Sequence, residues 1–66
     1  MILYIPEGHG CAYSIDTEGE LFYTPLHADD TLHMEETDVV DYEPELQEIH
    51  EHLIAMNKVA GLYFKN

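Results

Sequence analysis

The chain opens on an apolar run, Ile2-Leu3-Tyr4-Ile5, whose strand-forming residues predict a short, well-buried β-strand. Pro6-Glu7-Gly8-His9-Gly10 then interrupts it, because Pro lacks an N–H and Gly frees the backbone for a turn. Two further segments, Cys11-Ala12-Tyr13-Ser14-Ile15 and Glu20-Leu21-Phe22-Tyr23-Thr24, flank Asp16-Thr17-Glu18-Gly19. Asp at the first position and Gly at the last suit a type I turn. Cys11, Tyr13 and Ile15 share one side of a pleated strand, while Leu21 and Tyr23 alternate with Glu20, Phe22 and Thr24. A period of two on both sides of a turn predicts a β-hairpin with one core face.

Pro25 is expected to end the second strand, and His27-Ala28-Asp29-Asp30 to form a turn. Thr31-Leu32-His33-Met34 reads as a short irregular or edge strand, Glu35-Glu36-Thr37-Asp38 as a solvated acidic connection, and Val39-Val40-Asp41-Tyr42 as one more strand. The period then changes. Leu46, Ile49, Leu53, Met56 and Ala60 recur at spacings of three and four, one apolar stripe of a helix over residues 44–60, widened by Ile54 and Val59. Pro44 suits the first helical turn and Gly61 the position after the last. Glu45 and Glu48 near the start and Lys58 near the end complement the helix dipole. Leu62-Tyr63-Phe64 reads as a closing strand. These elements predict a single small α+β domain over residues 1–66: an antiparallel sheet of three to five strands, built on a central β-hairpin, with one C-terminal helix packed across one face.

So short a chain leaves only about 60% of its unfolded surface to be buried. Either a small monomeric core or one completed by a second subunit is compatible with that. The helical stripe can therefore pack on its own sheet or form a dimer seam, and its own sheet is the default. Apolar residues at 45% and aromatic residues at 11% separate the sequence from disordered acidic tails. Five Tyr and two Phe exceed what so small a core holds, which places some of Tyr4, Tyr42 or Tyr63 at the surface as interface anchors. The single cysteine, Cys11, allows no internal disulfide, favouring a reducing cytoplasm. No signal-peptide pattern and no membrane-length apolar segment is visible.

Charge sharpens the picture most. The sequence holds fourteen Asp and Glu against two Lys and no Arg, a formal net charge of −12. Both lysines, Lys58 and Lys65, lie near the end. Ten of the acids fall between positions 29 and 51: Asp29, Asp30, Glu35, Glu36, Asp38, Asp41, Glu43, Glu45, Glu48 and Glu51. Alternate strand residues stand about 7 Å apart and helical neighbours about 5–6 Å, on the scale of phosphates along a strand of duplex DNA. Such a surface disfavours direct contact with nucleic acid or anionic membranes and suits a protein with a basic groove. Asp29, Asp30, Glu35, Glu36, Asp38, Asp41, Glu43, Glu45 and Glu48, with Tyr42, form the expected partner-binding face. A face that only confers solubility is the plain alternative.

Other chemistry has little footing. His50 and His52 stand two apart on a helix, about 200° around its axis, and cannot chelate one ion. His9, His27 and His33 with Cys11 are suitable zinc donors, but no paired spacing joins them, and no metal or other cofactor is expected. Asp16, Glu18 and Glu20 imitate a calcium loop, yet Gly19 comes early and His27 stands where the closing Glu belongs. There is no glycine-rich phosphate loop, and Ser14 is the sole serine. No enzymatic activity is expected.

Residues 13–29, with the pattern Tyr13-x-Ile15-Asp16-x-x-Gly19-x-Leu21-x-Tyr23-x-Pro25-Leu26, followed by Val40-Asp41-Tyr42, resemble a hairpin pattern in short acidic proteins of tailed bacteriophages, where the hairpin precedes an acidic segment. The resemblance covers about half the chain and carries no catalytic or binding residue with it. It implies expression in a bacterial host cytoplasm and a role in binding host machinery. The expected function is binding of a host nucleic-acid-handling or defence protein through a DNA-mimic-like face. The alternative is a structural or assembly adaptor or a homodimeric module whose acidity serves solubility.

Overall fold

The computed structural model describes residues 2–41 and 43–61. They form a small α+β fold in which a three-stranded antiparallel sheet, ordered β1-β2-β3, is covered on one face by a single C-terminal helix. Strand β1 spans Cys11–Ile15, β2 Leu21–Pro25 and β3 Asp38–Val39, and helix α1 spans Gln47–Val59. The expected closing strand at Leu62-Tyr63-Phe64, and Tyr42, lie outside the described residues.

The hairpin forms where the alternating pattern places it, with Tyr13 opposite Tyr23 and Ile15 opposite Leu21. Its turn is fixed by Asp16, whose Oδ1 accepts the N–H groups of Glu18 and Glu20, both at 2.9 Å. Gly19 closes it at φ 83°, a left-handed conformation that glycine adopts without a Cβ clash. Pro25 ends β2 as expected, as its last residue and paired with Cys11. The next N–H, of Leu26, donates to Gly10 at 3.0 Å, so Pro25 occupies a position whose absent N–H would point away from β1. On that other side, β3 pairs only with Phe22 and Tyr23.

The expectation of one core face needs correcting, since all five residues of β1 are buried. Cys11, Tyr13 and Ile15 join Leu21, Leu46 and Leu53 in the core under the helix. On the opposite face Ala12 and Ser14 are also closed off, and the Thr24 hydroxyl is sealed by the Thr37 hydroxyl at 2.7 Å. The opening segment is not a buried strand either. Tyr4 exchanges both backbone hydrogen bonds with Tyr13, at 2.9 and 2.7 Å, but Leu3 and Ile5 are 37% and 51% exposed. A single bridge on the outer edge of β1 covers only alternate side chains, Ile2 and Tyr4. Tyr4 is half-buried rather than a surface anchor, its ring 5.2 Å from that of His52.

Residues 44–60 begin as a 3-10 turn, Pro44–Leu46, and continue as α1. Leu46 and Leu53 are buried, with Ile49, Ile54 and Met56 packed beside them. The predicted stripe fails at its end, where Val59 is 91% exposed and Ala60 is exposed. Asn57 is buried instead, its Nδ2 donating to the Leu53 carbonyl at 2.7 Å. That bond explains how a polar residue occupies the inner face.

Candidate functional site

All ten acids between positions 29 and 51 are exposed. They do not form one continuous row at strand or helix spacing. The strand predicted over residues 39–42 is the two-residue β3, and the acids are spread over a turn, a 3-10 turn, that edge strand, a connection and the start of the helix. Two neighbourhoods result.

The first is a clasp over residues 26–38. Leu26 and Leu32 form a bridge, the His27 N–H donates to the Thr31 carbonyl at 2.9 Å, and the Asp30 N–H donates to the His27 carbonyl at 2.9 Å. Asp30 takes φ 64°, a conformation that short polar side chains tolerate. Asp29 Oδ1 accepts the Thr31 hydroxyl at 2.6 Å and the Thr31 N–H at 3.3 Å. These donors hold the Asp29 carboxyl below the usual aspartate range. The predicted irregular strand at residues 31–34 reduces to the Leu32 bridge, and Met34–Glu36 curls into a 3-10 turn. That turn returns Glu36 to His27, with Oε2 2.6 Å from His27 Nε2 and 3.4 Å from His33 Nδ1. The two imidazoles stack, with centroids 3.8 Å apart and planes 11° from parallel. Glu35 Oε1 also lies 3.4 Å from His33 Nδ1, and Asp38 Oδ1 accepts the Val39 N–H at 2.8 Å. In this neighbourhood, acids expected to face a partner also hold backbone and imidazole donors.

The second neighbourhood is a groove between the exit of β3 and the start of the helix. Leu21, Val40 and Leu46 line it together with Glu20, Asp41, Glu43, Gln47 and His50. A second hollow, which shares Val40, Asp41, Glu43 and Leu46 with it, is lined by Tyr13, Tyr23 and Val39. His50 Nε2 donates to the Gly19 carbonyl at 2.5 Å, pinning the helix to the hairpin turn. Below the groove, Tyr13 is 6% exposed. Its phenol ionises well above the ordinary tyrosine range, first because of burial, then through the Cys11 thiol and the negative charge of Glu43. Asp41 and Glu43 thus stand beside the apolar surface of Leu21, Val40 and Leu46 on one side and the rings of Tyr13 and Tyr23 on the other, a composition that accepts the aliphatic stem and charged head of Lys or Arg. Glu45 and Glu48 lie farther along, on the 3-10 turn and the first turn of α1. Glu51 accepts a hydrogen bond from Gln47 at 3.2 Å.

Of the zinc-donor group read from the sequence, His27 and His33 join one cluster of three donors among the described residues. His9 Nδ1 meets the Tyr13 hydroxyl at 3.1 Å, and Cys11 is buried in the core. The third member that the fold supplies is Glu36. Its signal in the sequence was the three-residue step from His33, which brings side chains together on one helical turn. Among the described residues no helix is long and apolar enough to cross a membrane. Compared with family models, curated proteins and solved structures, the chain matches no family, no curated protein and no solved structure.

Proposed function

We propose that this protein is a non-enzymatic binding module that docks on a basic protein surface of the kind that holds nucleic acid, in a bacterial host cytoplasm. The observation that carries the reading is the groove with Asp41 and Glu43 beside Tyr13, Tyr23, Val40 and Leu46. It lies in a sequence with no Lys or Arg before Lys58. Carboxylates without cationic neighbours steer encounter with a basic partner, and the apolar floor adds short-range contact. The acids of the clasp, Asp29, Asp30, Glu35 and Glu36, add to the field, and Glu45 and Glu48 extend it along the helix. The resemblance to short acidic phage proteins favours a host target, with occupancy of its nucleic-acid groove as the mechanism. The homodimer alternative draws less support, because Leu46 and Leu53 of its proposed seam are buried in the protein's own core.

The test is affinity capture from bacterial lysate, with a variant carrying Asp38→Asn, Asp41→Asn and Glu43→Gln run in parallel. The expected outcome is retention of basic nucleic-acid-binding proteins that elute with salt, are displaced by DNA and are missed by the variant. Retained proteins without a basic site, or retention equal on the variant, would overturn the reading.

A further inference from the structure

We propose that His27, His33 and Glu36 form a binding site for a zinc-class divalent transition metal. Their donor atoms lie within 4.8 Å of one another. Two imidazoles and one carboxylate suit a borderline metal such as zinc, whereas calcium and magnesium take oxygen ligands.

The separations are close to those a metal requires. Ligands about 2.0–2.1 Å from a tetrahedral zinc stand about 3.4 Å from one another. His33 Nδ1 is already 3.4 Å from Glu36 Oε2, and His27 Nε2 is 2.6 Å from that oxygen. The shorter contact is a hydrogen bond from His27 Nε2 to the carboxylate. The proton occupies the place the metal would take, and the pair opens by less than about 1 Å when the metal replaces it. On ligation that proton moves to His27 Nδ1, or to solvent if the ring is charged. The stacked rings lie in near-parallel planes, so one of them turns for both ligating nitrogens to meet one ion. Both side chains are 39% exposed, so such a turn is made into solvent.

The surroundings already select the ligating nitrogen of His33. The Thr31 hydroxyl spends its only hydrogen on Asp29 Oδ1 at 2.6 Å. Toward His33 Nε2, 3.1 Å away, the same oxygen therefore acts as acceptor. His33 is thus held with a proton on Nε2, which leaves Nδ1, the nitrogen that faces Glu36, as the one to ligate. A carboxylate–hydroxyl–imidazole chain of this kind orients a metal-binding histidine from behind. Glu35 Oε1 lies 3.4 Å from His33 Nδ1 but outside the three-residue cluster, and the net charge of −12 favours any cation.

The test follows histidine side-chain NMR resonances of the full chain during titration with zinc chloride, with calorimetry in parallel. One equivalent of zinc is expected to shift His27 and His33 while leaving His9, His50 and His52 in place. Affinity should fall at least tenfold in Glu36→Gln and by about tenfold in Thr31→Val. It should vanish in the double variant His27→Ala and His33→Ala, and persist when His9 and His52 are both replaced by Ala. The wild-type shifts are decisive even where a variant loses its loop structure. Zinc that shifts all five histidines alike, fails to shift His27 and His33, or is matched by magnesium at equal concentration would overturn the assignment.

Discussion

The hairpin–helix unit and the segment that links β2 to the helix are held by different forces. In the first, Cys11, Tyr13, Ile15, Leu21, Leu46 and Leu53 bury one another, and area removed from water supplies the stabilisation. In the second, over residues 26–41, the order comes from directional contacts: Thr31 on Asp29, Glu36 on His27, Thr37 on Thr24. Apolar Met34 and Val39 are 43% and 40% exposed there. A region held mainly by exposed polar contacts opens at lower free energy than the core it is attached to. The chemistry-bearing residues, both the groove acids and the His27–Glu36 clasp, sit largely in that softer region. The core is scaffold.

The largest effect belongs to the scaffold. Leu53 is fully buried, and Leu53→Ala is expected to cost about 2–5 kcal/mol, a large share of the stability of a chain this size. Urea unfolding should show the loss, and a cost below about 1 kcal/mol would mean that the core is not centred under the helix. Next is the joint between the regions. Thr37→Val leaves the fully buried Thr24 hydroxyl without its partner, at a cost of about 1–3 kcal/mol. Replacing both threonines by Val should recover much of that loss in the same assay. If the double variant is no better than the single, the hydroxyl pair is not what joins the segment to the sheet.

A smaller effect reports where the groove meets the core. The Tyr13 pKa is raised above its ordinary value of 10.0. Below that pH both the folded and unfolded states keep the phenolic proton. Above it the unfolded chain loses the proton first, so stability falls as pH rises, by at most about 1.4 kcal/mol per pH unit for one group. Tyr13→Phe should flatten part of this alkaline slope, as measured by denaturant midpoints from pH 9 to 11. An unchanged slope would show that Tyr13 ionises as freely folded as unfolded.

The same contrast explains what could be read from the sequence. The hairpin and the helix were legible because periods of two and near 3.6 are imposed by burial, and Asp16, Gly19, Pro44 and Gly61 mark their ends. Residues 26–41 were read less well because no period governs them. The 3-10 turn at Met34–Glu36 and the short β3 carry no hydrophobic repeat, and the segment is tied down by contacts between residues distant in sequence, such as Thr24 with Thr37. Within the candidate site the exposed acids were legible from composition. The floor of the groove was not, because Leu21, Val40 and Leu46 come from three separate segments. Buried Asn57 and exposed Val59 show the limit of the helical stripe, which gives the inward face but not where burial along it ends.

The most direct test of docking at the groove is amide chemical-shift mapping during titration with an arginine- and lysine-rich polypeptide at low and high salt. Binding there predicts shifts confined to Tyr23, Val39, Val40, Asp41, Glu43 and Leu46, weakening steeply with salt. Equal shifts at every acidic residue, including Glu7 and Glu18, would show a diffuse charge without a docking site and contradict it.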